Sequence, residues 1–336
     1  MGAREWLEVR ERLVRDRERF GRIADAYYAN MTRVAGTPLL GRDAWTPDAP
    51  VPLERVRLEW TEHAPPPAVT GPGRGLPEGF ADYAGAVGAL AAPRVFEDRP
   101  AYRLLAAGLR GDPVLRFGRA RYFDAVNVGE AAAHELAEGG RALRERVGDP
   151  RDLARRPALM AVTTLTVTAS GTYVLHWRDP AKVAHAGGLH QVMPVGVFQQ
   201  ATDERADLDL WWNITREYGE EFLGTGEDHT RADDRFTAFR RGWEAARERG
   251  DVRPYCLGLG VDPLTFAVDL LTVTVVEDAA FAALFGGMVA ENDEGRVSLA
   301  AFDGSVPGPM QPAGAAALRL AWRHRRALGV SPARSA

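Results

Sequence analysis

Between residues 4 and 34, Trp6, Leu7, Leu13, Phe20, Ile23, Ala24 and Tyr27 recur at helical spacing among many charges, predicting amphipathic helix. Residues 36–60 turn to prolines and short extended pieces, and residues 63–79 hold five prolines and four glycines, reading as an exposed, mobile loop. A short helix is predicted over 80–92, strands over 102–109 and 114–123, and one long helix over 125–147. Gly148-Asp149-Pro150 ends that helix, and the domain boundary is expected there.

The second half changes character. Residues 160–168 are β-branched and alternating, 172–177 repeat the pattern after the Ser170-Gly171 turn, and 189–198 read as a third extended piece. Helices are predicted over 207–223 and 234–249, then strands over 255–260 and 265–276. A small-residue helix over 279–289, a last strand over 297–302 and a closing helix over 314–328 complete the pattern. Strands and helices alternate without an internal repeat, which predicts an α+β chain. It divides into an α+β domain over 1–150, with no evident chemistry, and a second domain over 151–330.

Composition narrows the class. The 336 residues are 46% apolar and 26% charged, an ordinary globular balance. A net charge of −4 implies no general polyanion-binding surface, so nucleic acid is not the expected partner. The lone cysteine, Cys256, sits in a strand-like apolar run and is expected to pack rather than react. It forms no internal disulfide, which suits a reducing compartment. The charged start lacks a signal-peptide core, and no apolar stretch reaches the roughly 18 residues of a membrane span. A soluble, cytoplasmic protein is expected.

The densest chemistry lies in Trp211-Trp212-Asn213-Ile214-Thr215-Arg216-Glu217-Tyr218-Gly219-Glu220-Glu221-Phe222. On a helix, Trp211, Ile214, Tyr218 and Phe222 form one apolar stripe, while Asn213, Glu217, Glu220 and Glu221 share another face. Carboxylates at i,i+3 and i,i+4 repel each other, and a hard divalent cation such as Mg²⁺ or Mn²⁺ relieves that repulsion through oxygen ligation. Arg216, four residues before Glu220, is placed to orient a carboxylate. The plain alternative is a solvated acidic helix face.

Arg216-Glu217-Tyr218-x-Glu220-Glu221, following the strand and loop that carry Pro194-Val195-Gly196, resembles the signature of the Nudix hydrolases. The resemblance implies a Nudix-like α/β/α sandwich with a mixed sheet. It also implies metal held by Glu217, Glu220, Glu221 and the Gly196 carbonyl, with Arg216 holding the glutamates and Glu217 helping to activate water. The match departs from the family at several slots. The early box glutamate is replaced by Leu208, flanked by Asp207 and Asp209; the first box glycine is Thr202; and the glycine after the glutamates is displaced to Gly224. A loop insertion around 199–207 is implied. Residues 173–199 and 257–265 are also similar to actinobacterial Nudix-like proteins, some of them labelled transcriptional regulators after a helix-turn-helix domain that is not visible in this chain.

Arg178, Lys182, His185 and His190 cluster around Gly187-Gly188 just ahead of Pro194. Mixed cations beside permissive glycines suit phosphate oxygens, although ordinary turn glycines in an exposed loop explain the same residues. Trp177, Trp211 and Trp212 are either core or platforms for a flat ring. Glu130, His134 and Glu135 have metal-like spacing but no second histidine, and read as a structural network. Asp262, Asp269, Glu277, Asp278 and Asp293 are candidates for a remote acid, and Arg319, Arg323, Arg325 and Arg326 make a basic closing helix. The leading expectation is a Mg²⁺- or Mn²⁺-dependent hydrolase of a diphosphate-containing small molecule. The alternatives are a non-catalytic ligand-binding or regulatory protein and a repurposed enzyme of specialised metabolism. A homodimer is compatible with the extra domain.

Overall fold

The computed structural model describes residues 1–333 except 73, 94, 180–187, 226–232, 287 and 289–294. The chain is an α+β protein with two mixed sheets. The strands are β1 (Val51–Pro52), β2 (Arg57–Trp60), β3 (Pro100–Gly108), β4 (Val114–Arg121), β5 (Met160–Thr168), β6 (Thr172–Arg178), β7 (His190–Val192), β8 (Val195–Val197), β9 (Val252–Val261), β10 (Val268–Val276) and β11 (Gly295–Ala301). The large sheet runs β1-β9-β10-β5-β6-β11, with β7 on β6 and β8 on β5; the small sheet runs β2-β4-β3. β10 and β5 are parallel at its centre. Both are almost continuously apolar or threonine, as strands covered on two faces must be.

Alternation decides which residues meet which helix. Met160, Val162, Val268 and Leu270 join Tyr218 and Phe222 in one core, beneath the helices Leu210–Leu223 and Asp234–Glu248. Leu165, Val167, Leu271, Val273 and Val275 join Ala316, Ala317 and Leu320 of the helix Pro312–Arg323 in a second core. Helices therefore cover both faces of the large sheet. Its last two partners come from the first half of the chain: β1 pairs with β9, and Leu40 exchanges backbone hydrogen bonds with Val261, both 2.9 Å.

Several elements differ from the sequence expectation. The long helix over 125–147 is three: Tyr122–Val126, Gly129–Glu138 and Ala142–Val147. Gly139, at φ +105°, ends the second in a left-handed cap that suits glycine. The extended piece over 189–198 is two short strands with different partners, because Pro194 offers no N–H to continue one ladder. Among the described residues, no helix is long and apolar enough to cross a membrane. Cys256 is buried, and burial pushes its thiol up to about 12, so it packs as expected. His134 is buried against the Trp6 ring, 4.9 Å between centroids, and near the Tyr83 hydroxyl, while Glu135 accepts the backbone N–H groups of Ala142 and Leu143. His134 and Glu135 are thus each engaged by their own neighbours, the first by aromatic rings and the second by backbone N–H groups.

Candidate functional site

The helix Leu210–Leu223 begins where Asp209 accepts the Trp212 N–H (2.9 Å) and ends on Gly224 in the left-handed region. Its apolar stripe is as the spacing predicts: Trp211, Ile214, Tyr218 and Phe222 are buried. Trp211 stacks on Trp243 (5.3 Å, 10°), and the Tyr218 hydroxyl lies 2.6 Å from Thr166 Oγ1 of β5. These contacts set the helix rotation, and rotation sets where the polar residues point. Asp209→Ala removes the N-cap and is expected to lower stability by about 1 kcal/mol, read as a shifted urea midpoint at unchanged slope.

The polar side is not a solvated face. Asn213, Arg216 and Glu217 are all buried. Glu217 lies against Gly196 of β8 so closely that a Cβ on Gly196 would overlap its carboxylate. Glu221 Oε1 accepts the Val195 N–H at 3.0 Å. Arg216 donates to Asn213 Oδ1 (3.0 Å), lies 3.5 Å from the Gln199 carbonyl, and stands 3.8 Å from Glu220 Oε1. The structure thus brings Glu217, Glu221 and Gly196 together and places Glu220 beside Arg216. Among the described residues, no three His, Cys, Asp or Glu side chains already converge as a metal-holding group.

The acids flanking Leu208 are structural. Asp209 is the cap, and buried Asp207 accepts the N–H groups of Ala201 (2.9 Å), Thr202 (2.6 Å) and Asp203 (2.8 Å), with Trp212 Nε1 at 2.9 Å. These bonds hold the Asp207 carboxyl below its ordinary value against the upward pull of burial, and they fold the loop over 199–207 onto the helix.

The cationic cluster divides. Lys182 and His185 lie outside the described residues. Arg178 lines a cavity of about 740 Å³ that Gly196 also lines, together with Asp269, Arg156, Gln191 and Gln311. Glu217, Glu220 and Glu221 do not line it. His190 binds the Pro309 and Gln311 backbones, and burial lowers its ring below the ordinary value. Trp177 carries the Arg296 guanidinium 4.6 Å from its ring centroid, and Trp212 carries Arg240 at 5.6 Å. Arg319 donates to the Ala35 (3.2 Å) and Gly36 (2.8 Å) carbonyls, tying the closing helix to the first half.

Among the late acids, Asp269 stands out. It sits in β10 opposite Ala161, which pairs with Val197 of β8, so the three form one row across the sheet. Its Oδ1 accepts the Thr163 hydroxyl at 2.9 Å. Burial and the nearby Asp262 carboxylate raise it to about 7, against the lowering effect of Thr163. Arg156, which sequence reasoning passed over, is buried at the same cavity.

No known family matches the chain, and no curated protein matches it.

Proposed function

We propose that the protein is a divalent-metal-dependent hydrolase of a diphosphate-containing small molecule on a Nudix-like α/β/α sandwich. The carrying observation is the seat of the Glu217 carboxylate on Gly196. It joins the two separated parts of the motif, Pro194-Val195-Gly196 and Arg216–Glu221, across a helix–strand contact. Helices on both faces of a mixed sheet support the same fold.

The donor set suits a hard cation: carboxylate oxygens lie beside a glycine strand whose missing Cβ leaves them room. Glu217, Glu220, Glu221 and the Gly196 carbonyl would hold Mg²⁺ or Mn²⁺. When bound, such an ion supplies neutralisation of diphosphate charge and acidification of a ligated water. The chain's own contribution is positional. Asn213 and the Gln199 carbonyl hold the Arg216 guanidinium, which in turn fixes the reach of Glu220. Val195 fixes Glu221, and Arg178 offers a guanidinium to phosphate oxygens from the cavity wall. A second reading, a non-catalytic ligand-binding protein on the same fold, is favoured by the bond that already engages Glu221 with a backbone N–H.

Release of phosphate or pyrophosphate products from nucleoside and non-nucleoside diphosphates, with Mg²⁺ and with Mn²⁺, tests the proposal. Turnover is expected to depend on metal and to fall at least about a hundredfold in Glu220→Gln, with the melting temperature unchanged. No turnover on any substrate, with metal still raising the melting temperature, would sink hydrolysis and leave the ligand-binding reading.

A further inference from the structure

The cavity of about 740 Å³ falls within the size range of small-molecule sites, roughly 300–1,000 Å³. Apolar side chains make up much of its wall, among them Leu159, Val197, Phe266 and Met310. Charged side chains line it as well, and two of them, Asp269 and Arg156, leave polar atoms without a protein partner among the described residues. Asp269 is half-buried, and its open side is the cavity. Thr163 Oγ1 engages Oδ1, and among the described residues Oδ2 has no hydrogen-bond partner. The second group, Arg156, is 2% exposed. It donates from Nη2 to the Pro150 carbonyl (3.1 Å) and packs 5.6 Å from the Phe266 ring centroid, while its Nε is buried without a partner. Among the described residues no carboxylate forms a direct ion pair with it, and Asp152 attracts it only from beyond that distance.

A buried guanidinium without a direct counter-charge is costly, since attraction from a distance does not offset its desolvation. The neighbouring arginine, Arg144, resolves the same problem with two backbone carbonyls, those of Pro263 and Leu264. Arg156 has one. A ligand anion would supply what is missing, and an apolar cavity wall would strengthen that attraction. Asp269 sits within β10 opposite Ala161 and Arg156 precedes β5, so the two would meet different groups of one molecule.

We propose that this cavity binds an organic anion with an apolar body, its carboxylate or phosphate held by Arg156 and a hydroxyl or amine of the same molecule held by Asp269. The proposal shares Arg178 and Gly196 of the cavity wall with the hydrolase reading but does not rest on it, because the helix glutamates do not line the cavity and metal is not required.

The test uses the full chain in EDTA, which removes the metal on which hydrolysis depends. Anilinonaphthalene sulfonate is the fluorescent probe, displaced by ω-hydroxydecanoate or by decanediol, which has the same body without the anion. One saturable site is expected, with ω-hydroxydecanoate competing at least about tenfold better than the diol. Arg156→Gln should remove that preference, and Asp269→Asn should weaken the hydroxy acid more than decanoate. Should Arg156→Gln fail to fold, Ala161→Trp, which fills the cavity from β5 beside Asp269, serves as the second variant and should abolish probe binding at an unchanged melting temperature. Binding that survives Ala161→Trp, equal competition by acid and diol, or no saturable site would each overturn the proposal.

Discussion

Gly196→Ala is expected to lower stability by about 3 kcal/mol and to remove any metal response together with it. The added methyl would enter the space occupied by the Glu217 carboxylate. Forcing atoms into a packed interior costs typically 1–3 kcal/mol. Here the displaced group is a buried carboxylate, which must move away from its present partners, and this places the effect at the upper end. Val195 and Val197 on either side make the short β8 ladder with Thr163 and Ala161, so the strand has little freedom to retreat. Urea denaturation with and without Mn²⁺ checks both parts. A variant of wild-type stability that still gains melting temperature from Mn²⁺ would show that the Glu217–Gly196 contact is not what builds the site.

The second large effect concerns pH. Asp269 is an acid whose folded-state value, about 7, lies above its ordinary one near 4. Below about pH 4 both folded and unfolded chains hold the proton, and the raised value has no effect. Between about pH 4 and pH 7 the unfolded chain releases the proton while the folded chain keeps it, so this group makes stability fall as pH rises. Above pH 7 the loss is complete, of the order of a few kcal/mol. Asp269→Asn keeps an oxygen to accept the Thr163 hydroxyl and removes the titration. Its unfolding free energy, relative to wild type, should therefore climb by a few kcal/mol between pH 4.5 and pH 8. A difference that stays flat across that range would mean that the carboxyl ionises as an ordinary aspartate.

How far the chain could be read in advance depended on whether neighbours along the sequence or across the fold decide each feature. The strands over 160–168 and 265–276 were legible because two-sided burial leaves an apolar and threonine run that nothing else explains. The helix over 207–223 was legible from its stripe. Gly139-Gly140 does not by itself break the helix predicted over 125–147, since a pair of glycines lowers helix propensity without forbidding it. The strands β1 and β2 are two and four residues long, too short to carry a period.

At the site, the sequence pattern placed Glu217 and Gly196 in one motif, and the structure puts them in contact. What it did not indicate was burial: an acidic helix face reads as solvated until a strand lies across it. Asp269 is the sole charge within 268–276, a visible signal. Choosing it over Asp262 or Glu277 required the register that sets it beside Ala161 and within reach of Thr163. Arg156 carried no signal, because it is buried by tertiary contacts with Pro150 and Phe266 rather than by any local pattern.

The pairing of Leu40 and Val51–Pro52 with β9 has a practical consequence for dividing the chain. A fragment starting near residue 151 would keep the central strands yet bare the N–H and C=O row of β9, a ten-residue strand, to solvent. A long uncapped edge of that kind templates pairing with another copy, so the fragment is expected to self-associate. Residues 40 and 51–52 act as an edge guard, and an excised second half would need a replacement, such as a proline or a lysine along that border, to stay dispersed.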